Sequence, residues 1–130
     1  MDLNLIGKKA LVCGSSDGIG KATAEELARM GAEVTLFARN ADKLKTVCEG
    51  LSTAHSQKHS FLTADFDDLI GVENALRTFL QAHKGFDILV NNTGGPPAGP
   101  AHKAELDEYI TAFRRHLLCN QLITKLVLPE

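Results

Sequence analysis

Residues 14–40 read GSSDGIGKATAEELARMGAEVTLFARN. Three glycines, Gly14, Gly18 and Gly20, stand between the apolar run ALVC and a segment with helical patterning, and the next apolar run, VTLFA, ends in Arg39. Glycine just ahead of a helix costs backbone entropy, so its repetition there asks for a turn or a close approach that a side chain would forbid.

Working outward, the same alternation continues along the chain. Lys9 to Cys13 suits a short buried strand, and Gly18 to Met30 reads as a helix with Ile19, Ala22, Leu27 and Met30 on its inner face. Glu33 to Ala38 is a second strand. Asp42 to Leu51 places Leu44, Val47, Cys48 and Leu51 on one helical face. Ser52 to Ser60 is polar and loop-like, and Phe61 to Ala64 reads as a third strand. Leu69 to Ala82 carries Val72, Ala75, Leu76, Phe79 and Leu80 on an apolar stripe, and Phe86 to Val90 is a fourth strand. Gly94 to Pro100, GGPPAGP, breaks either kind of regular structure. Glu105 to Leu128 is a long helix with Leu106, Tyr109, Ile110, Phe113 and Leu117 on one face and Leu122, Ile123, Leu126 and Val127 continuing its apolar content. Strands alternating with helices, without hairpin signals, predict a parallel sheet in an α/β layered fold. No linker or composition shift divides the chain.

Composition narrows the function. The 130 residues suffice for one modest core, and the formal charge of −2 offers no basic excess for a nucleic acid. Lys8, Lys9, Lys43 and Lys45 form no patch interleaved with aromatic residues. Cys13, Cys48 and Cys119 are dispersed, which points to buried thiols in a reducing, cytoplasmic setting. The N-terminus lacks the pattern of a signal peptide, and no apolar run reaches the length of a membrane span. His55 and His59 lie in a loop-like segment without acidic or cysteine partners, so no metal site is expected. His83, His102 and His116 read as solvated or helix-capping residues, and Asp67 and Asp68 as carboxylates at the start of a helix.

The glycine-rich turn has a physical reading. One glycine permits the tight turn at the strand end, one lets the backbone meet a pyrophosphate at the helix N-terminus, and one allows helix and sheet to pack closely. The spacing is G-x-x-x-G-x-G, with Lys21 next, and matches neither the G-x-G-x-x-G fingerprint nor the P-loop.

Combined with the residues at the ends of the third and fourth strands, this pattern resembles the short-chain dehydrogenase/reductase family. Gly14, Gly18, Ile19 and Gly20 match its cofactor motif, and Asn91, Asn92, Thr93 and Gly94 match its Asn-Asn-Ala-Gly motif with Thr93 in place of alanine. Asp65 stands where the family has an aspartate facing the adenine, Asn120 where it has a helix asparagine, and Leu128-Pro129 where that helix ends. The resemblance implies a Rossmann-type sheet in the order 3-2-1-4 and an NADP(H)-binding domain over residues 1–130. It also implies a cofactor-binding set of Gly14, Ser15, Ser16, Gly18, Ile19 and Gly20 on the first turn, Arg39 and Asn40 after the second strand, Asp65 and Phe66 after the third, and Asn91, Asn92, Thr93 and Gly94 after the fourth. Asn91 is expected near the adenosine, with Asn92 and Gly94 supporting the central strand. The Gly95-Pro96-Pro97 extension resembles that of 3-oxoacyl-[acyl-carrier-protein] reductase-like members.

Arg39 bears separately on the choice of cofactor. An adenine ribose reaching the end of the second strand presents a 2′-hydroxyl, suited to a carboxylate, or a 2′-phosphate, suited to a guanidinium. The chain reads Ala38-Arg39-Asn40 there, so NADP(H) is expected over NAD(H), with Ser15 and Asn40 as further donors and Asp17 as an acidic departure.

The resemblance further implies oxidoreduction of a small carbonyl or alcohol substrate by a serine, a tyrosine with a lysine four residues later, and an asparagine. Of these only Asn120 can be placed. Tyr109 is followed four residues on by Phe113 and is expected to pack. The chain is therefore read as the N-terminal half of such an enzyme, without turnover by itself. The alternative is a non-catalytic dinucleotide-binding or self-associating fragment. In either case the apolar terminal helix and the edge at Phe86 to Val90 lead to an expected homo-oligomer.

Overall fold

In the computed structural model, which describes residues 3–95 and 98–128, strand β1 (Lys9–Cys13) leads through the glycine turn into helix α1 (Gly18–Arg29) and then strand β2 (Glu33–Ala38). Helix α2 (Ala41–Gly50), strand β3 (Ser60–Thr63), helix α3 (Leu69–Ala82) and strand β4 (Ile88–Val90) continue the alternation. Pro96 and Pro97, in the proline-bearing extension, and Pro129, in the Leu128-Pro129 match, lie outside the described residues. The strands pair in parallel in the order β3-β2-β1-β4, with Ala10 opposite Val34 and Ile88, and Leu36 opposite Phe61.

Period-two alternation builds the two sides of the core. Ala10 and Val12 of β1, with Val34 and Leu36 of β2, face α1 and α2. Leu11, Cys13 and Phe37 face the opposite side, where they meet Val72 and Leu76 of α3. Full burial of Phe37 is worth about 1.5–3 kcal/mol. Its ring also meets Phe66 edge-on, with centroids 5.1 Å apart, which ties β2 to the loop after β3.

Two expected faces differ from the structure. Helix α1 buries Gly20, Ala24 and Ala28, while Ile19 is 79% exposed and Ala22 is exposed as well. The helix lies so close to the sheet that only small side chains fit beneath it, and the larger Leu27 and Met30 occupy its half-buried flank. The terminal helix is interrupted. Helix α4 (Leu106–Phe113) passes into a π-turn (Arg114–Leu118), in which the Cys119 N–H donates to the Arg114 carbonyl, and continues as α5 (Cys119–Val127). Helix α5 buries Cys119 and Ile123 in the same cluster as Leu11, Cys13, Phe37, Val72 and Leu76, but the stripe of Leu106, Tyr109, Ile110 and Phe113 on α4, with Leu117 in the π-turn, is more than half exposed throughout. Among the described residues strand β4 pairs only with β1, so β4 and β3 form the two edges of the sheet.

Candidate active site

A parallel sheet sends its loops out at the C-terminal ends of the strands, and here they enclose a cleft of about 530 Å³. Gly14, Ser16, Asp17 and Gly18 form its floor, Arg39, Asn40 and Lys43 one wall, and Asp65, Phe66 and Asp67 another. Asn92, Thr93, Gly94 and Arg115 close it.

The floor explains the glycines. Gly14 has φ +60°, and its N–H donates to the Phe37 carbonyl at 2.8 Å, so the turn begins as the β-ladder ends. A Cβ on Gly20 would lie 2.2 Å from the Gly14 carbonyl oxygen, which makes that glycine the point of closest contact between helix and turn. The Asn92 amide donates to the Gly14 carbonyl at 3.2 Å and so fastens the β4 loop to the glycine turn. Gly18 has open space where a Cβ would stand, at the N-terminus of α1, where its own N–H is taken by Asp17 and the Ile19 and Gly20 N–H groups are left to meet an anion. The residues present therefore fit a dinucleotide pyrophosphate.

Three cations and three carboxylates ring the cleft in pairs. Arg39 lies 3.8 Å from Asp65, and the Lys43 ammonium lies 3.2 Å from Asp17. Arg115 grips Asp67 through two hydrogen bonds, that of its Nε being 2.8 Å long. The Arg115 fork holds the Asp67 carboxyl below the usual carboxylate range. The Gly18 N–H and then Lys43 do the same for Asp17, which caps α1. The wall at the end of β2 thus presents a guanidinium and an ammonium, each paired with a carboxylate from a neighbouring part of the cleft.

Several expected residues sit elsewhere. Ser15 is buried, and its oxygen accepts from the Phe37 N–H at 3.0 Å, so it secures the turn from behind and does not line the cleft. Ile19 faces outward. Asn91 turns away from the cleft: its amide donates to Thr124 Oγ1 at 3.2 Å, and Thr124 donates to the Asn120 carbonyl at 2.7 Å, so the two asparagines are joined through α5. The Asn120 side-chain oxygen is buried and, among the described residues, has no hydrogen-bond partner. Asn40 lines the cleft, but its side-chain oxygen caps α2 by accepting from the Lys43 N–H at 2.9 Å. Tyr109 packs less than expected and donates to the Ala101 carbonyl at 2.7 Å.

Sequence reasoning missed Lys43, Arg115 and His116. His116 is not solvated or capping, because its Nδ1 meets Thr93 Oγ1 at 2.6 Å. Asp68 caps α3 as expected, accepting from the Gly71 N–H at 3.1 Å, whereas Asp67 is taken by Arg115. His59 serves the fold, accepting from the Val34 N–H at 3.0 Å. The partners of Arg115 and His116 are 48 and 23 residues distant, too far for any local pattern to reveal. Lys43 was legible as the first-turn base of the helix after Arg39.

Residues 8–130 match the short chain dehydrogenase family. An uncharacterized oxidoreductase of Schizosaccharomyces pombe is 40% identical over 97% of this chain and 37% of its own length. The L-sorbose reductase of Gluconobacter frateurii, solved with NADPH and L-sorbose, superposes with a TM-score of 0.86 at 28% identity, over 98% of this chain and 48% of that one. A short chain dehydrogenase of Burkholderia cenocepacia, solved with NADP, gives a TM-score of 0.83 at 33% identity, over 95% of this chain and 51% of that one. The chain thus spans about half, or less, of the length of these proteins.

Proposed function

The chain belongs to the short-chain dehydrogenase/reductase family, and from that premise we propose that residues 1–130 form the NADP(H)-binding portion of an oxidoreductase acting on a small carbonyl or alcohol. The observation that carries the reading is the wall at the end of β2, where Arg39 and Lys43 stand in the place in which a carboxylate would select a free ribose hydroxyl. The α1 N-terminus supplies N–H donors for the pyrophosphate, Gly18 leaves room for its approach, and the exposed carboxylates Asp65 and Asp17 release their cations to a 2′-phosphate. The cofactor supplies a hydride. The chain's own residues hold and orient it, and Asn120, whose side-chain oxygen has no hydrogen-bond partner among the described residues, is the residue proposed for a proton path. That solved relatives hold NADPH or NADP supports the choice of cofactor.

Tyr109 has Phe113 four residues on and lies on α4 outside the cleft lining, so the proton-transferring tyrosine and lysine of the family are not among these residues. The exposed stripe on α4 favours self-association as the partner of this surface. Calorimetric titration of the 130-residue chain is expected to give saturable NADPH binding, NADH binding weaker by roughly tenfold or more, and no loss of reduced cofactor with a panel of activated ketones. Equal affinity for the two cofactors would overturn the assignment of the phosphate wall, and turnover that survives further purification would overturn the placement of the catalytic groups.

A further inference from the structure

The loops after β3 and β4 leave the sheet at opposite edges, with β2 and β1 between them, so about 14 Å of sheet separates their roots. Both line the cleft, and neither is held along its length by strand pairing. Among the described residues, residues 93–95 make no backbone–backbone hydrogen bond. What spans the gap is the π-turn. Arg115 reaches Asp67 in the β3 loop, and the next residue, His116, reaches Thr93 in the β4 loop. Consecutive residues of a helical turn point in different directions around its axis, so a single turn laid across the mouth can serve both loops at once. The turn is anchored from below, because Cys119, where α5 begins, is fully buried against the sheet. An extra residue in a helix is often found at a functional site, and here it lies where two cleft-lining loops converge.

We propose that the Arg114–Leu118 π-turn is a brace that sets the spacing of the two loops flanking the dinucleotide cleft, with Arg115 and His116 as positioning residues acting through Asp67 and Thr93. The inference rests on the dinucleotide reading of the cleft. It also gives Thr93 a role: its hydroxyl holds the histidine, and its backbone shapes the wall.

The test uses the parent chain with NADPH as the probe. Thr93→Val keeps the shape and loses the hydroxyl, His116→Ala loses the partner, and each is expected to weaken NADPH binding about fivefold. The double variant is expected to bind no worse than the weaker single variant, because both remove one interaction. Thr93→Ser is expected to restore parental affinity, and Arg115→Ala to weaken binding about tenfold through loss of a charge-assisted fork. Val47→Ala, on the far side of the sheet, is the stability control: it is expected to lower the melting temperature and leave affinity unchanged. Amide exchange, read without ligand, is expected to quicken at residues 93–95 in Thr93→Val and at 65–68 in Arg115→Ala. A parent that binds NADPH while every variant matches its affinity and exchange overturns the brace and leaves the cofactor reading standing. A parent that binds no dinucleotide, while the exchange changes occur as expected, removes the cofactor reading and leaves the brace as a loop clamp.

Discussion

Replacing Gly20 by valine is expected to lower the stability of the chain by about 3 kcal/mol or more and to abolish dinucleotide binding by whatever remains folded. The reason lies in the geometry of two backbone segments. A Cβ at this position would stand 2.2 Å from the Gly14 carbonyl oxygen and 2.7 Å from the Asn92 amide nitrogen, and the first of these cannot swing aside as a flexible side chain would. Relief requires α1 to lift from the sheet or the turn to open: the first removes the helix N-terminus from the cleft floor, and the second breaks the Asn92 hydrogen bond to Gly14. Gly18→Ala provides the contrast. Its φ of +53° makes a side chain strained, but nothing lies within 4 Å of the added Cβ, so the cost is about 1–2 kcal/mol and the chain stays folded. Thermal melts of the two variants give the comparison. A Gly20→Val chain melting with the parent would show that helix and turn are not in contact as described.

Removing the cations at the end of β2 is expected to have the second largest effect. Arg39→Ala is expected to cost about 1.5–3 kcal/mol of NADPH binding and to leave NADH binding nearly unchanged, because only the 2′-phosphate offers a guanidinium a charge-assisted partner. Lys43→Ala is expected to act in the same direction, and more weakly, since an ammonium on a flexible stem is a point charge without the fork. Titrating both cofactors against both variants separates selectivity from general binding. An equal loss of NADPH and NADH affinity in Arg39→Ala would assign this residue to the cleft's shape and not to the phosphate.

The order of elements and the layers of the fold were legible because each rests on a short-range pattern. Short apolar runs locate Lys9–Cys13 and Glu33–Ala38, and the spacing of Val72 and Leu76 gives the inner face of α3. Crossover helices between parallel strands then leave few topologies. Helix α1 misled for a physical reason: a periodicity reading weights large apolar residues, whereas close packing under this helix selects Gly20, Ala24 and Ala28 and leaves Ile19 in solvent. The exposed α4 stripe has the same spacing as a buried one, and only the tertiary structure distinguishes them. In the cleft, glycine spacing and the residue after β2 carried information because their chemistry depends on backbone geometry and local charge. Ser15 and Asn91 were placed by motif, but their partners Phe37 and Thr124 come from elsewhere in the chain, and these contacts turn them out of the cleft. The π-turn left no sequence signature, because its residues are ordinary helix formers and their partners Asp67 and Thr93 are distant in the chain.

Dinucleotide binding in the cleft is tested most directly by a ¹⁵N–¹H correlation titration of the chain with NADPH. Saturable shifts are expected, concentrated in residues 14–20, 39–43, 65–67 and 92–94, with the shifts at 39–43 much reduced when NADH replaces NADPH. Saturable shifts confined to the opposite end of the sheet, around Lys8, Gly31 and His59, or no saturable shifts at all, would contradict it.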